Sequence, residues 1–121
     1  MRSPWFILIF LVLTSCYHDL RHEKYVNNAT YDTLIVINPD LENVYTIYPG
    51  QEVLIYTFEI LDTKQEQDEC RWLGDSLSIR TIKDSICKKS PYLEENWTTV
   101  VSGPEKERIQ KCTFTVLNAD I

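Results

Sequence analysis

The chain of 121 residues predicts an all-β fold, a small immunoglobulin-like or related β-sandwich of seven or eight short strands. Three observations predict it. Short runs rich in Val, Ile, Thr, Tyr, Phe and Trp recur at residues 33–37, 44–48, 52–60, 77–82, 97–101 and 108–117. Turn signals separate them: Asn38-Pro39-Asp40, Pro49-Gly50, Lys83-Asp84 and Ser102-Gly103-Pro104. The sequence also shows no internal repeat, and its three glycines exclude a Gly-rich fibre.

The first residues stand apart from that pattern. Met1-Arg2 is a short positive start, and Trp5 to Leu13 is an unbroken apolar run of nine. A membrane-spanning helix takes about 20 apolar residues, so this run has the length of a signal-peptide core instead. Leu13-Thr14-Ser15-Cys16 follows. It resembles the lipobox of bacterial lipoproteins: an aliphatic residue, two small residues and a Cys. The resemblance implies a signal peptide over 1–15, removed by cleavage before Cys16, and a lipid on the Cys16 thiol. The alternative is a plain secretory signal that happens to contain Cys. Stable anchoring takes two acyl chains or signals, which a lipoprotein-type modification supplies without a transmembrane helix.

Residues 16–24 then read as lipid attachment and tether, because Tyr17 to Lys24 is polar and aperiodic. Residues 25–121 read as the sandwich domain. Tyr25-Val26 opens it and runs into the turn-prone Asn27-Asn28-Ala29-Thr30. Thr33 to Ile37 is β-branched and apolar enough to be covered on both faces. Val44 to Tyr48 and Glu52 to Ile60 flank Pro49-Gly50, where Gly supplies the positive φ of a type II turn. Leu61 to Glu69 is acidic and polar, an exposed loop or a short helix. Leu77 to Ile82 alternates and turns through Lys83-Asp84 into a short Ser85-Ile86-Cys87 strand. Ser90-Pro91, followed by Glu94-Glu95, carries the cap and first-turn chemistry of one short helix. Trp97 to Val101 and Arg108 to Leu117 complete the set.

This layout resembles the short lipoproteins of unknown function abundant in Bacteroidetes. The carrying features are the lipobox, Val26 to Thr30 followed by Asp32-Thr33-Leu34, Ile47 to Gln51, Asp75 to Ile79, Ser90-Pro91-Tyr92 leading to Asn96-Trp97, and Thr113 to Val116. The resemblance implies a domain held in the cell envelope, with no reaction and no catalytic residues. Tyr17-His18-Asp19-Leu20 lacks the dense acidic run associated with surface export, which favours the periplasmic face of the outer membrane. Asp32-Thr33-Leu34, Asp75-Ser76-Leu77 and Asp84-Ser85-Ile86 look like the O-glycosylation motif of that phylum, with Thr33, Ser76 and Ser85 as acceptors. Asp before Ser or Thr is equally ordinary turn chemistry.

Charge and cysteines narrow the chemistry. Net charge is −6; the leader holds only Arg2 of the 12 basic residues, leaving 11 against 18 acidic ones, a net of −7. An acidic domain without a Lys/Arg run is a poor partner for nucleic acid. With Cys16 set aside, Cys70, Cys87 and Cys112 remain. Export favours disulfides, and an odd number leaves one thiol over. The expected pair is Cys70–Cys87, with Cys112 a buried small hydrophobe beside Phe114 and Val116; three reduced thiols are the alternative.

No zinc spacing occurs, and His18 and His22 read as solvated tether residues, so no metal or cofactor is expected. Without a His in the domain, and with Asp68-Glu69 and Glu94-Glu95 only sequence neighbours, no enzyme is expected either. The functional expectation is a non-catalytic, lipid-anchored envelope domain that binds or supports another envelope component, a protein or a glycan. A glycan-binding module would need an exposed aromatic strip, with Trp72, beside Arg71, the least core-like ring.

Overall fold

The structure, a computed structural model, describes residues 18–62 and 68–121. The leader and Cys16 lie outside those residues. Seven strands form two sheets: β1 (His18–Ala29), β2 (Leu34–Asn38), β3 (Asn43–Ile47), β4 (Glu52–Asp62), β5 (Ser78–Thr81), β6 (Trp97–Ser102) and β7 (Glu107–Leu117). The larger sheet runs β4-β1-β7-β6 and the smaller β3-β2-β5. The first and last long strands, β1 and β7, pair in parallel at the centre of the larger sheet; all other pairs are antiparallel. Among the described residues no helix is long and apolar enough to cross a membrane.

Most elements fall where their composition puts them. Gly50 takes φ +81°, as the Pro49-Gly50 turn requires. That turn does not close a hairpin. It carries the chain from β3 in the smaller sheet to β4 in the larger one, and the Gly50 N–H bonds the Asn28 carbonyl at 2.8 Å. The helix after Ser90 is a single 3-10 turn, Glu94–Asn96. The short strand expected at Ser85 to Cys87 reduces to one bridge between Arg80 and Ile86.

The tether is corrected. β1 begins at His18, seven residues before the expected Tyr25, so His18 to Lys24 belongs to the central strand. The segment looks polar because every second residue turned inward is Leu20, His22, Lys24, Val26 or Asn28, and His22 and Lys24 are buried with the rest. Strand alternation is intact; the inward side chains are unusual.

Length mismatch organises the interior. β1 has 12 residues and β7 has 11, whereas β2 and β3 have five and β5 has four. Where the sheets face each other the core is apolar: Val26, Ile55, Phe114 and Val116 pack with Leu34, Val36, Ile47 and Ile79, and Trp97 tilts onto Phe114 with centroids 5.3 Å apart. At that end Asn28 is fully buried. Its amide donates to the carbonyls of Asp32 (2.7 Å) and Ile47 (2.8 Å), and its oxygen accepts from the N–H and hydroxyl of Thr30. The remaining inward face of β1 and β7 carries Leu20, His22, Lys24, Gln110 and Cys112. There the segment 68–77 serves as cover.

Candidate functional site

The cover is fastened residue by residue. Gln110 holds Asp68 as a strand neighbour would, accepting its N–H at 3.0 Å and donating to its carbonyl at 2.7 Å. Cys70 bonds Cys112 on β7. The Glu94 carboxylate accepts the N–H groups of Cys70 (3.0 Å) and Arg71 (2.8 Å). The Trp72 N–H donates to the Pro91 carbonyl, and its indole N–H to the Asp75 carbonyl at 2.9 Å. Asp40, just past β2, accepts the Asp75 N–H at 3.2 Å. Gly74 permits this, because a Cβ there would collide with the Asp40 carboxylate. Leu77 donates its N–H to the Tyr92 hydroxyl at 2.9 Å.

The disulfide differs from the expected Cys70–Cys87 pair. Cys112 faces inward on β7 directly beneath the 68–72 segment, with a Cα separation of 5.5 Å to Cys70. Cys87 lies elsewhere: its N–H bonds the Ile79 carbonyl, its thiol points at the Lys89 carbonyl, and it is free. Burial raises its thiol pKa. The expectation that Cys112 is buried holds, but it is half of a cystine. Closing 42 residues contributes about 4 kcal/mol in the chain-entropy model.

His22 is corrected from a solvated tether residue to a core one. Its ring stacks on Phe58 with centroids 4.6 Å apart. Gln110 Oε1 can only accept, so His22 Nδ1 carries the hydrogen across 3.1 Å. Nε2 therefore holds the lone pair and faces Cys112 Sγ at 3.7 Å. A disulfide sulfur has no proton to give, so this is a contact. Desolvation first, and repulsion by Lys24 second, push the His22 pKa below its usual 6.5.

Beside it lies a cleft of about 510 Å³, lined by Lys24, Asp40, Leu41, Tyr56, Phe58, Asp68, Trp72, Leu73 and Gly74. A β-bulge shapes it. Lys24 pairs with Tyr56 and Tyr25 with Leu54, leaving Ile55 without a partner. The extra residue lets Ile55 and Tyr56 both turn inward, and Phe58 and Ile60 continue on Tyr56's face. The Ile55 carbonyl, freed from the ladder, accepts from Asn38 Nδ2 at 3.2 Å and lies 3.5 Å from the Tyr45 hydroxyl. Tyr56 and Phe58 thus flank Lys24, whose Nζ lies 5.5 and 5.6 Å from their centroids. Trp72 meets Tyr56 edge-on at 5.8 Å.

Lys24 is only 3 % exposed, and among the described residues its ammonium has no hydrogen bond or ion pair. Desolvation lowers its pKa, opposed by the charges of Asp68 and Glu94. Both Asp40 and Asp68 already accept backbone N–H groups, from Asp75 and Glu69.

Trp72 is 4 % exposed, so it wedges the cover in place and forms no exposed aromatic strip on the outer surface. Of the Asp-Ser/Thr positions, Ser76 and Ser85 are exposed and Thr33 is half-buried. Asp84 and Ser85 do ordinary turn work: Asp84 pairs with Arg80 at 3.0 Å and the Ser85 N–H bonds the Thr81 hydroxyl at 3.1 Å. Among the described residues no three His, Cys, Asp or Glu side chains gather to hold a metal ion.

Sequence reasoning missed Lys24, Tyr56 and Phe58 as neighbours. A signal was present: the apolar parity of β4 runs Val53, Ile55 and then switches to Tyr56, Phe58, Ile60, the mark of a bulge. No protein-family model, curated protein or solved structure matches the chain.

Proposed function

We propose that this chain is a lipid-anchored domain of the bacterial cell envelope, attached through Cys16, that works by binding and not by catalysis. The observation that carries the reading is adjacency. β1 begins at His18, so Tyr17 alone separates the lipobox Cys from the central strand of the larger sheet. Anchored there, the domain would stand directly on the bilayer with no tether. The neighbouring chain ends at that edge are the turn before Glu107 and the end of β4, since Asp19 pairs with Glu107 and His18 with Asp62. The acidic balance would keep the body off anionic lipid, leaving the acyl chains as the attachment. The periplasmic face of the outer membrane is the favoured location, and exposed Ser76 and Ser85 are the better O-glycan acceptors.

Binding is supported over catalysis by the state of the buried imidazole. His22 has one nitrogen held by Gln110 and the other against the disulfide, which leaves the imidazole no free nitrogen to act as a general base toward the cleft. An adjacent cavity with aromatic walls and three charged groups, Lys24, Asp40 and Asp68, has the make-up of a ligand pocket.

Intact-mass spectrometry of the protein from native membranes tests the anchor. The expected mass is that of residues 16–121 plus diacylglyceryl, with or without an N-acyl chain. Cys16→Ala is expected to stay unprocessed and fold normally. Mature, membrane-retained Cys16→Ala protein would refute the anchoring.

A further inference from the structure

We propose that the cleft over Lys24 binds a small amphiphilic carboxylate, its head group on the Lys24 ammonium and its apolar body along Tyr56, Phe58 and Trp72. This rests on reading the domain as a binding module, and is independent of acylation at Cys16.

The charge carries the argument. Lys24 is buried all but 3 %, yet its Nζ is not a sealed-off atom. An ammonium stripped of most of its water, with no hydrogen-bonding partner among the described residues, gains from any acceptor that reaches it. The Tyr56 and Phe58 rings, at 5.5 and 5.6 Å, compensate only in part. Lys24 lines the cleft, so a group entering there can reach its Nζ. A carboxylate supplies a charge-assisted hydrogen bond of the kind the protein withholds.

The carboxylates at the rim do not compete for this role. Asp40 is turned to the Asp75 N–H and Asp68 to the Glu69 N–H, and neither lies within ion-pair distance of Lys24. They do set a limit on the ligand. Among the described residues one ammonium faces two rim carboxylates, a balance that tolerates a monoanion better than a phosphate dianion.

Shape and polarity supply the rest of the description. About 510 Å³ suits a small molecule. Tyr56, Phe58 and Trp72 form the walls, while Leu41 and Leu73 are exposed at the rim. The ligand body is therefore aromatic or aliphatic. Among the described residues no Arg lines the cleft, so at Lys24 the head group meets a point charge in place of a bidentate fork.

The test uses the full chain in zwitterionic lipid nanodiscs and three probes of one shape: 3-phenylpropionate, 3-phenylpropanol and 3-phenylpropylamine. Binding is read from the concentration dependence of the unfolding temperature. Occupancy at Lys24 is read from its protection against reductive methylation by peptide mass spectrometry. The acid is expected to bind about tenfold more tightly than the alcohol, the amine most weakly, and only the acid is expected to protect Lys24. Lys24→Met keeps an unbranched apolar stem out to the ε position, removes the ammonium, and is expected to erase the preference of acid over alcohol while its unfolding transition stays cooperative. Should that variant not fold, the wild-type protection experiment decides alone. Equal binding of acid and alcohol, tightest binding of the amine, unprotected Lys24, or no binding by any probe would overturn the proposal. None of these outcomes touches the intact mass that tests the anchor.

Discussion

The two ends of the sandwich are built on different principles. At one end two sheets face each other, and Val26, Phe114 and Val116 meet Leu34, Val36, Ile47 and Ile79 across an apolar interface. At the other end the smaller sheet runs out. There β1 and β7 present His22, Lys24, Gln110 and Cys112, and a loop closes over them through one covalent bond and specific hydrogen bonds. Sheet-on-sheet packing is non-directional and fills space. A loop on a sheet has no repeating side-chain layer to interdigitate, so its attachment is point by point. The space it leaves unfilled is the cleft. The position of the cleft follows from an inequality of strand lengths.

The comparison can be broken most forcefully at the apolar end. Phe114→Ala removes a fully buried ring from between Trp97 and the smaller sheet, and is expected to lower unfolding stability by about 3–5 kcal/mol. Denaturant unfolding measures this. The cover over the cleft should keep its amide protection at low denaturant. If Phe114→Ala instead loosened residues 68–77 first, the two ends would not be separate units.

A somewhat smaller and differently distributed effect is expected at the polar end. Replacing both Cys70 and Cys112 by Ala is expected to cost about 2–4 kcal/mol globally. Hydrogen exchange is the sharper readout. Amides of residues 70–72 should lose protection well before those of β2 and β5, because hydrogen bonds without the covalent link then hold the segment. Uniform loss of protection across both sheets would show that the cystine braces the whole sandwich and not its cover.

The two ends also differ in how plainly the sequence announces them. Thr33 to Ile37 reads as a buried strand without ambiguity, because every apolar side chain in it has only one physical use. Trp97 and Phe114 are legible for the same reason. His18 to Lys24 is not: period-2 reading looks for apolar residues at alternate positions, and here the inward set is Leu20, His22 and Lys24. A polar residue is buried when a partner far along the chain satisfies it. Gln110 lies 88 residues from His22, and nothing local encodes that meeting. The cystine is hidden likewise. Cys87 is nearer to Cys70 in sequence, but the turn geometry of 81–85 sends it elsewhere. Trp72 illustrates the converse, a large ring in a polar loop that is buried because the loop itself is a cover.

The smallest expected effect is a pH dependence confined to the polar end. The fold holds His22 neutral, and its pKa lies below the usual 6.5 because burial and then the Lys24 charge oppose its protonation. The unfolded chain therefore takes up this proton first. Between the folded value and 6.5 the unfolded state binds more protons, so stability rises with pH across that window and falls as pH drops through it. Urea midpoints taken from about pH 7.5 down to about pH 5, above the range where most carboxylates titrate, should decline. His22→Gln should flatten that decline, since Gln carries no titrating proton. Lys24→Met should shrink it without abolishing it, because it removes the second cause and leaves the first. Phe114→Ala should lower every midpoint and leave the slope unchanged. A slope altered equally by Phe114→Ala and Lys24→Met would mean that the charge buried at one end is felt through the packing of the other, and the division of the sandwich into two ends would fail.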